Sequence, residues 1–529
     1  MELKFLILAL ISHFFLISHA HSKISPSSDI NRWCNRTPYP EPCKHFMTNN
    51  TNHKFTLHKH KRDFRKAAIQ LALDHTIRAT KKTKTLGPKC RSGCEKAAWT
   101  DCVKLYEDTI EKLNKSLGHN TKCNDFDIQT WLSAALTNLD TCRTGFIELG
   151  VPDFVLPMIM SNSVSKLICN TLALGEYNGT TPVPHHETYS DHKDGFPTWV
   201  TTGDRRLLQM AGTMQPNLVV AQDGSGTHRT IAAALDEAGR RSGNERFVIH
   251  VKRGVYKENL EIGDNLNNIM LVGDGMKHTI ITGSRSFSGG YTTFQSATVA
   301  VIGERFIAQG ITFRNTAGPQ KYQAVALRSS SDFSVFYRCG FEGYQDTLYV
   351  HCQRQFFKEC YIFGTVDIIF GNAAVVFQNC MIYGRRPIHG QQVVITAQSR
   401  TDPNQNTGIS IHNSRVMAGS DLAPVVGSVQ TYLGRPWKEY SRTVFLKSYL
   451  DSLVDRAGWL EWDGDFALDT LYYGEYRNMG PGSDTSRRVR WKGYHVITSS
   501  EEAKRFTLSD FIGGPSWLSS TGVPFTAGL

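Results

Sequence analysis

The feature that most constrains this chain is a weak internal repeat in its second half. Four short segments resemble one another, at residues 312–315, 336–339, 357–360 and 377–380. Their last residues follow one another in steps of 24, 21 and 20. A unit of this length is too small to bury its own apolar face, so successive units must stack on one another. The repeat therefore predicts a solenoid.

The sequence around the repeat predicts that each coil is built from strands. Short runs rich in β-branched and aromatic residues alternate with Gly, Asn and Asp. They lie at 247–251, 269–272, 297–301, 324–328, 333–337, 375–377, 393–396 and 443–446. A helical pattern is convincing only at 230–238. Strand-built coils favour a right-handed parallel β-helix over a leucine-rich horseshoe, and a β-sandwich is the structural alternative.

The first part of the chain has a different periodicity. Apolar residues recur every three or four positions at 64–79, 94–117 and 126–145, with almost no Pro or Gly inside these segments. Short antiparallel helices of this kind form a bundle. Because 529 residues are too many for one ordinary domain, we expect an all-α helical domain over 30–175 and a mainly β domain over 209–529.

The N-terminus and the segment between the two domains indicate export and processing. One Lys, an apolar run and small residues at Ser18 and Ala20 predict a signal peptide over 1–20, with a short buried helix as the alternative. Residues 176–208 are polar and rich in Gly, Pro and His, which is typical of a linker. The linker ends in a stretch that suits a subtilisin-like processing protease, or that is a solvated charge cluster, at Arg205, Arg206, Leu207 and Leu208.

The cysteines and glycosylation sequons agree with export. The chain has 12 cysteines, eight before residue 170 and four between Cys339 and Cys380. None is spaced with histidines as in a zinc site, and the export route is oxidising, so disulfides are the default expectation. Sequons that could carry glycans begin at Asn35, Asn49, Asn114 and Asn178. No later stretch is long and apolar enough for a membrane span, so we expect no membrane partner for the mature chain.

The net charge indicates which classes of macromolecule the strand-built domain could bind. Of the formal +11, +4 comes from Gln209 onward, where 32 Lys and Arg face 28 Asp and Glu. The strand-built domain is therefore only mildly basic. That balance suits an acidic polysaccharide without singling one out, and a nucleic acid is a poor fit for a secreted chain.

The coil length predicts which polar residues meet. Adjacent strands lie about 4.8 Å apart, so residues one coil apart stack on the same face. Asp346 and Asp367 are 21 positions apart, and Gln323 and Gln345 are 22 apart. Two carboxyl groups at this distance cannot both ionise cheaply, so one remains a proton donor and the other a charged nucleophile. Taken singly, each Asp could be a turn residue and each Gln part of an internal amide ladder.

Five motifs in order give a resemblance to a known family. They are GVYKE (254–258), QAVALR (323–328), YQDTLY (344–349), VDIIFG (366–371) and LGRPW (433–437). From residue 215 to the C-terminus the chain resembles the pectin methylesterases, whose catalytic domain is a parallel β-helix. The departures are small, since Ile368 stands where Phe is usual and Cys352 where Ser is expected.

The helical part carries a looser resemblance. Residues 30–175 are similar to the pectin methylesterase inhibitor domain that precedes many plant enzymes of this family. The matching cysteines are Cys34, Cys43, Cys102 and Cys142, the last two beside Leu105-Tyr106 and Gly145-Phe146 respectively. Four cysteines are additional to that pattern and leave the pairing open, namely Cys90, Cys94, Cys123 and Cys169.

The resemblance implies a role for each catalytic residue. Asp367 would attack the methyl ester of a galacturonate to form a covalent anhydride, and Asp346 would protonate the leaving methanol and then activate water. Gln323 and Gln345 would donate N–H groups to the oxyanion. Arg435, an ordinary surface charge if taken alone, would keep Asp367 ionised.

The resemblance also implies binding residues. Trp437, which could otherwise be a core residue, would offer a flat face to a sugar ring, and Thr293, Tyr349 and Phe370 are further candidates for lining the cleft. No metal or organic cofactor is implied. Of the four late cysteines, Cys360 and Cys380, one coil apart, are expected to form a disulfide and Cys339 and Cys352 to remain thiols.

The expected substrate is methyl-esterified pectin, that is homogalacturonan in the plant cell wall, and the expected enzyme is a monomer. The helical domain would act as an intramolecular brake, released by cutting after Leu208. Two alternatives stay open. A pectin-cleaving glycosidase would also use paired carboxylates, and the chain could instead be chiefly an inhibitor or binding module that binds an esterase domain in cis or trans.

Overall fold

The computed structural model describes residues 26–49, 60–118, 123–175 and 215–529, together with the backbone of 192–193 and 196–197. The predicted signal peptide, the basic stretch at 205–208 and the sequon at Asn178 lie outside the described residues. The other three sequon residues, Asn35, Asn49 and Asn114, are exposed. Within the described residues, no helix combines the length and apolarity that crossing a bilayer requires.

The N-terminal part is a helical bundle, as predicted. Its described helices are α1 (Pro26–Cys34), α2 (Pro40–Thr48), α3 (Lys61–Lys84), α4 (Gly93–Ser116), α5 (Asp125–Glu148), α6 (Val155–Met160) and α7 (Val164–Ala173). Helix α5 begins at a capping box, because the Asn124 side chain accepts the Asp127 N–H and the Asp127 carboxylate accepts the Asn124 N–H. Helices α3, α4, α5 and α7 pack around one apolar core.

Two disulfides staple the bundle. Cys34 is bonded to Cys43 between α1 and α2, and Cys102 is bonded to Cys142, which ties α4 to α5. The four additional cysteines of this domain are unpaired among the described residues. The long loop closed by the second bridge, 40 residues in sequence separation, makes it the more stabilising of the two in the chain-entropy account.

The rest of the chain is strand-rich. The strands are β1 (His192–Lys193), β2 (Phe196–Pro197), β3 (Leu218–Val220), β4 (Phe247–Val251), β5 (Gly254–Lys257), β6 (Leu260–Ile262), β7 (Ile269–Gly273), β8 (Thr279–Gly283), β9 (Val299–Val301), β10 (Ile307–Gln309), β11 (Thr312–Asn315), β12 (Leu327–Ser329), β13 (Ser334–Tyr337), β14 (Gly340–Glu342), β15 (Leu348–Val350), β16 (Arg354–Lys358), β17 (Tyr361–Gly364), β18 (Ile369–Gly371), β19 (Ala374–Gln378), β20 (Met381–Gly384), β21 (Val393–Val394), β22 (Thr396–Gln398), β23 (Gly408–His412), β24 (Arg415–Ala418), β25 (Thr431–Tyr432), β26 (Arg442–Leu446), β27 (Tyr449–Leu450), β28 (Tyr472–Tyr476) and β29 (Tyr494–Val496). Helix α8 (Ile231–Ala238) lies near its start, and α9 (Ser500–Lys504), α10 (Leu508–Ile512) and α11 (Pro515–Leu518) lie at its end.

Three parallel sheets wind into a parallel β-helix, which confirms the predicted fold. The eleven-stranded sheet has the order β29-β28-β26-β23-β19-β16-β13-β10-β7-β4-β3. The eight-stranded sheet has the order β27-β24-β20-β17-β14-β11-β8-β5, and the six-stranded sheet β22-β18-β15-β12-β9-β6. From β4 to β22 each coil contributes one strand to each sheet in turn, and the buried apolar side chains form one continuous core.

The repeat is real in three of its four segments. Phe336, Phe357 and Phe377 are in register on β13, β16 and β19, and their rings stack with centroids 4.6 Å apart in both steps. The first segment was aligned wrongly. It lies on β11 in the eight-stranded sheet, and the true partner of Phe336 is Ala308. Phe313, on the strand after β10 and in a different sheet, only resembles the repeat in sequence.

The left-handed residues that follow the strands of one sheet show where the repeat is regular and where it is interrupted. Each strand of the eleven-stranded sheet from β10 to β28 is followed by one residue in the left-handed region. These are Gly310, Arg338, Glu359, Asn379, Asn413, Lys447 and Arg477, with φ between 48° and 67°. Their spacings are 28, 21, 20, 34, 34 and 30, so coils with inserted loops flank the two short ones. Only the short coils carry a repeat that sequence can reveal.

The expected disulfide between Cys360 and Cys380 is wrong. Both are buried thiols, as are Cys339 and Cys352. The three stacked thiols donate instead to main-chain carbonyls, Cys360 to Phe336 and Cys380 to Phe357. Parallel side chains on adjacent coils keep their Cβ atoms near the strand spacing of about 4.8 Å, whereas a disulfide needs about 3.8 Å. The helical domain therefore contains both disulfides of the described residues.

The stacked phenylalanines make a direct prediction about stability. Phe357→Ala removes the middle ring of the stack and leaves a cavity, so the unfolding free energy of the β-helix should fall by about 3–5 kcal/mol. Tyr361→Ala, at an aromatic side chain that is 40% exposed, is the matched control and should cost well under half of that. Urea unfolding followed by tryptophan fluorescence measures both. Equal shifts for the two variants would show that the stack does not carry this stability.

Candidate active site

Asp346 and Asp367 lie side by side on adjacent coils. Each precedes a strand of the six-stranded sheet by two residues, and β15 and β18 pair Leu348 with Ile369 and Tyr349 with Phe370. The Asp346 N–H donates to the Val366 carbonyl at 3.0 Å, which extends this register to the two acids. Both have positive φ, 63° and 52°. They are turn residues as well as neighbours, and Asp tolerates this conformation better than most residues do.

Arg435 forms an ion pair with Asp367, one of the two acids. Arg435 Nε and Nη2 donate to the two carboxylate oxygens of Asp367 at 2.9 and 2.7 Å, in a bidentate pair. The LGRPW loop places Arg435 beside Asp367, because its backbone at Gly434 packs closely against neighbouring residues. A side chain at Gly434 would collide with the Thr396 hydroxyl and with the Trp459 ring. The Arg435 guanidinium also lies 4.3 Å from the ring centre of Trp462.

The other acid has the opposite electrostatic surroundings. Burial, together with the charges of Asp367 and Glu148, raises the pKa of Asp346 well above its ordinary value, and the more distant Arg435 opposes this only in part. The surroundings of Asp346 therefore favour its protonated form, next to an Asp367 that is ion-paired with Arg435. The two neighbouring carboxyl groups have opposite electrostatic environments.

The two glutamines flank the acids. Gln345 precedes Asp346, and the Ala324 N–H donates to the Gln345 carbonyl at 3.2 Å, which places Gln323 on the neighbouring coil. Neither side-chain amide hydrogen-bonds to another described residue, and Gln345 Oε1 is buried without such a partner. Two polar amides left unbonded beside buried carboxyl groups are available to a ligand.

Aromatic rings form a floor next to the acids, which we call the aromatic floor: Tyr349, Phe370 and Trp437. Tyr349 and Phe370 stack with ring centres 4.3 Å apart, and Phe370 and Trp437 lie 5.9 Å apart. Thr293 is buried, and its N–H donates to the Glu148 carboxylate of the helical domain at 3.4 Å. Among the binding candidates from the sequence, Tyr349, Phe370 and Trp437 thus lie in one group of rings, and Thr293 contacts a carboxyl group that also acts on Asp346.

The helical domain covers this cleft with the C-terminal half of α5. The Thr141 hydroxyl hydrogen-bonds to His351 Nε2 at 2.9 Å, and Tyr349 and Phe370 belong to the same apolar cluster as the helical core. Burial raises the pKa of Glu148 to about 7, and the Glu148 carboxyl lies close enough to contribute to the shift at Asp346. The end of α5 thus lies near the two neighbouring carboxyl groups.

Further contacts run along α4 and the rest of α5. Asp101 accepts hydrogen bonds from the Thr292 hydroxyl at 2.5 Å and the Gln295 amide at 2.7 Å, and burial raises its pKa to about 6. Asp127 pairs with Arg354 at 2.6 Å, and Arg354 also pairs with the buried Asp332. The ion pairs between the domains run in both directions, because Lys104 and Lys115 of the helical domain pair with Glu261 and Glu304 of the β-helix.

The sequence missed the residues that the docked helix reveals. Lys438 pairs with Asp140 at 3.2 Å, Trp462 packs on Arg435, and Glu148 reaches the acids. Lys438 directly follows the LGRPW motif, which was the only available signal, and a charge in a loop normally indicates a solvated surface. Among the described residues, no group of three or more His, Cys, Asp or Glu side chains is arranged to hold a metal ion.

Comparison with known proteins gives the same two-part division. Residues 217–515 match the pectinesterase family, and residues 28–174 match the plant invertase/pectin methylesterase inhibitor family. Pectinesterase 2 of Citrus sinensis is 58% identical over 515 residues, which cover 97% of this chain and 98% of the relative. Probable pectinesterase/pectinesterase inhibitor 17 of Arabidopsis thaliana is 58% identical over 503 residues, which cover 95% of this chain and 94% of the relative.

Solved structures match the strand-built domain. The pectin methylesterase from carrot is 57% identical, with a TM-score of 0.59, and the match covers 60% of this chain and 100% of that chain. A deglycosylated pectin methylesterase from Aspergillus niger is 33% identical, with a TM-score of 0.50, and the match covers 58% of this chain and 97% of that chain.

Proposed function

The chain belongs to the pectinesterase family and carries the inhibitor-like N-terminal domain of the plant precursors, and on that premise we propose that it demethylates cell-wall pectin with Asp367 as nucleophile and Asp346 as acid and base. The observation that carries the residue assignment is the contrast between the two neighbours. Asp367 is paired with Arg435, whereas burial and neighbouring charges raise the pKa of Asp346 well above its ordinary value and so favour its protonated form. A nucleophile needs an ionised carboxyl group and a proton donor needs a protonated one.

The first half of the reaction forms a covalent intermediate. A carboxylate oxygen of Asp367 attacks the carbonyl carbon of a galacturonate methyl ester, and the carbonyl electron pair moves onto its oxygen. The tetrahedral intermediate collapses, the bond to the methoxy oxygen breaks, and Asp346 gives its proton to that oxygen. Methanol leaves, and an anhydride joins Asp367 to the substrate. Asp346 is now ionised.

The second half regenerates both acids. Asp346 takes a proton from water, and the resulting hydroxide attacks the galacturonate carbonyl of the anhydride. Asp367 leaves as a carboxylate, held by Arg435, and Asp346 is again protonated. During both halves the side-chain amides of Gln323 and Gln345, which have no partner among the described residues, donate to the oxyanion. The aromatic floor supports the sugar rings.

The family assignment decides between the alternatives left by the sequence. Paired carboxylates would also suit a glycosidase, but the family match and the named relatives favour the esterase. A pure inhibitor is also disfavoured, because the chain carries both domains and the relatives that match over both are named pectinesterase or pectinesterase/pectinesterase inhibitor. Methanol release from esterified pectin, without new reducing ends, is the expected activity.

We also propose that the helical domain inhibits the esterase domain until the chain is cut. Support comes from the position of α5, whose end lies against the catalytic acids and the aromatic floor. Domain boundaries at 30–175 and 209–529, cleavage after Leu208 and secretion to the cell wall belong to the same proposal. A β-helix with its own core, and a carrot structure whose whole length corresponds to 60% of this chain, support independent folding of 209–529.

Asp367→Asn in the 209–529 fragment tests the nucleophile. The amide has almost the same shape but is a poor nucleophile, so methanol release from esterified pectin should fall at least a thousandfold while the melting temperature changes little. Asp264→Asn, at an exposed Asp far along the β-helix, is the control and should retain full activity. Turnover retained by Asp367→Asn would assign the attack to another group.

Gln323→Ala tests the oxyanion role. Loss of one donor that acts only in the transition state should lower kcat by about a hundredfold or more, with KM nearly unchanged. Gln320→Ala, at an exposed glutamine three residues earlier, is the matched control. An effect of Gln323→Ala that is confined to KM would instead make Gln323 a ground-state binding residue.

The inhibition by the helical domain should weaken as pH rises. When the domain is docked, burial raises the pKa of Glu148 from 4.5 to about 7, and that of Asp101 from 3.8 to about 6. Between the undocked and docked pKa values the docked chain binds more protons, so docking is strongest at acid pH. As the pH rises, each of the two groups lowers the equilibrium constant for docking by up to about tenfold per pH unit, until the pH passes the pKa of that group in the docked chain.

The uncut chain, measured relative to the 209–529 fragment at each pH, reports this directly. Its relative activity should rise from pH 5 to pH 7.5. Glu148→Gln, which stays uncharged throughout, should flatten the rise, whereas Glu107→Gln, at an exposed Glu of α4 paired with Lys84, should not. A relative activity that is constant over this range would contradict the proposed role of Glu148.

A further inference from the structure

Of the three sheets of the β-helix, the eight-stranded one has an outer face that the described residues leave largely to solvent. The outer face of the eleven-stranded sheet packs on the C-terminal helices, because Val335, Phe356 and Val376 share an apolar cluster with Leu508 and Phe511 of α10. The helical domain covers the six-stranded sheet. Among the described residues, no hydrogen bond or ion pair joins the helical domain to a strand of the eight-stranded sheet.

Aromatic side chains are concentrated on this face. We call Tyr361, Phe363, Tyr383 and Tyr449, on β17, β20 and β27, the aromatic strip. The rings of Phe363 and Tyr383 are in register and stack with centres 4.8 Å apart, and the Tyr361 ring lies 6.3 Å from that of Tyr383. Tyr361 is 40% exposed and the other three are partly exposed. Because stacked rings cover one another's faces, the strip offers solvent its ring edges and its tyrosine hydroxyls.

Three cations lie along the same strip. Arg415 on β24 is exposed, and its guanidinium lies 4.5 Å from the ring centre of Tyr449, its register partner on β27. Lys447 and Arg477 are the left-handed residues that follow β26 and β28, two positions before the outer row of the strip. Within the described part of the chain, none of the three cations forms an ion pair. Their charges are therefore available to an anion.

The acids near the strip do not balance these cations. Glu342 already pairs with Arg314 at 2.6 Å. Glu359 pairs with Arg338 at 2.9 Å. Asp451, just after β27, is partly exposed and is a single charge against three. A second copy of this chain that docked strip to strip would bring cations against cations, which is unfavourable. The face instead suits an anionic ligand that also has hydroxyl groups for the tyrosines.

We propose that the aromatic strip and its cations bind a polyuronate, a chain of sugar units that each carry a carboxylate, at a site separate from the catalytic cleft. Arg415 and Lys447 pair with carboxylates. The tyrosines contact the sugar with their ring edges and hydrogen-bond to its hydroxyls. The proposal goes beyond the proposed function, from which it takes only that the protein meets such a polymer. A chain held on this face raises the effective concentration of further units at the cleft.

The uncut chain isolates this face, because α5 covers the catalytic cleft and leaves the eight-stranded sheet free. The probe is fully demethylated polygalacturonate, and titration calorimetry at low salt measures its affinity. An exposed ion pair contributes up to about fivefold, so the double variant Arg415→Gln/Lys447→Gln should bind about tenfold more weakly than the unmodified chain. The matched control is Arg240→Gln/Lys504→Gln, which removes two exposed cations outside this sheet. Equal affinities for the two double variants would overturn the proposal.

A second probe distinguishes a polysaccharide from an acidic protein. Polyglutamate carries repeated carboxylates but no sugar. Tyr361→Ala/Tyr383→Ala should weaken the binding of polygalacturonate about threefold and leave the binding of polyglutamate unchanged. An equal effect on the two polymers, or tighter binding of polyglutamate by the unmodified chain, would overturn the assignment to a polyuronate and favour an acidic protein partner.

Methanol release separates this site from the catalytic one. In the 209–529 fragment, Arg415→Gln/Lys447→Gln should keep its kcat/KM on a short esterified oligogalacturonate, which cannot reach both sites at once. A loss of kcat/KM on this substrate would overturn the claim that the two sites are separate. A chain that binds polygalacturonate as expected, but whose fragment releases no methanol, would overturn the proposed function alone.

Discussion

The spacing between adjacent coils, about 4.8 Å, is the constraint on which the rest of this molecule depends. Main-chain hydrogen bonds between parallel strands set it, and every side chain one coil away becomes a close neighbour. The same spacing stacks Phe336 on Phe357 in the core and brings Asp346 beside Asp367 at the candidate active site. Rigid sheets hold the two carboxyl groups together although like charges repel, so the cost of their proximity is met by the fold and appears as a raised pKa at Asp346.

The helical domain meets that surface with complementary charge. Asp140 pairs with Lys438 and Asp127 with Arg354, while Lys104 and Lys115 pair with acids of the β-helix. Glu148, whose pKa burial raises to about 7, lies near Asp346. The proposed inhibition follows from this position, because a helix that lies against the two acids and the aromatic floor leaves a sugar chain no access to them.

Sequence reasoning reached the architecture and the acids for the same physical reason. A coil of 20 or 21 residues leaves a period in the sequence, and the period places Asp346 over Asp367 without further information. The prediction was wrong where the coil length is irregular. Phe313 imitated the repeat from another sheet, and coils of about 30 residues hid their register behind inserted loops. The spacing also suggested a bond between Cys360 and Cys380, because a one-dimensional period shows that two thiols are neighbours but not whether their geometry allows a disulfide.

Other residues could not be found from the sequence without a resemblance or a structure. Arg435 is 68 positions from Asp367, and only the fold of the LGRPW loop joins them. Lys438 and Glu148 acquire meaning only when the two domains are docked, since each is identified by what lies opposite. A contact between separately folded domains leaves no period in either one.

The polar contacts between the domains bear on how easily the domains could separate, as the proposed inhibition requires. Much of it consists of amides and hydroxyls: Asn372 donates to Thr137, Asn406 to Thr130, and Gln405 to the Ser133 carbonyl. Water can replace each of these bonds at little cost, because solvent offers the same donors and acceptors. Separation of the domains, which the proposed inhibition requires, would therefore leave these polar groups hydrated. The aromatic floor, which shares an apolar cluster with the helical core, would at the same time lose its cover and face solvent.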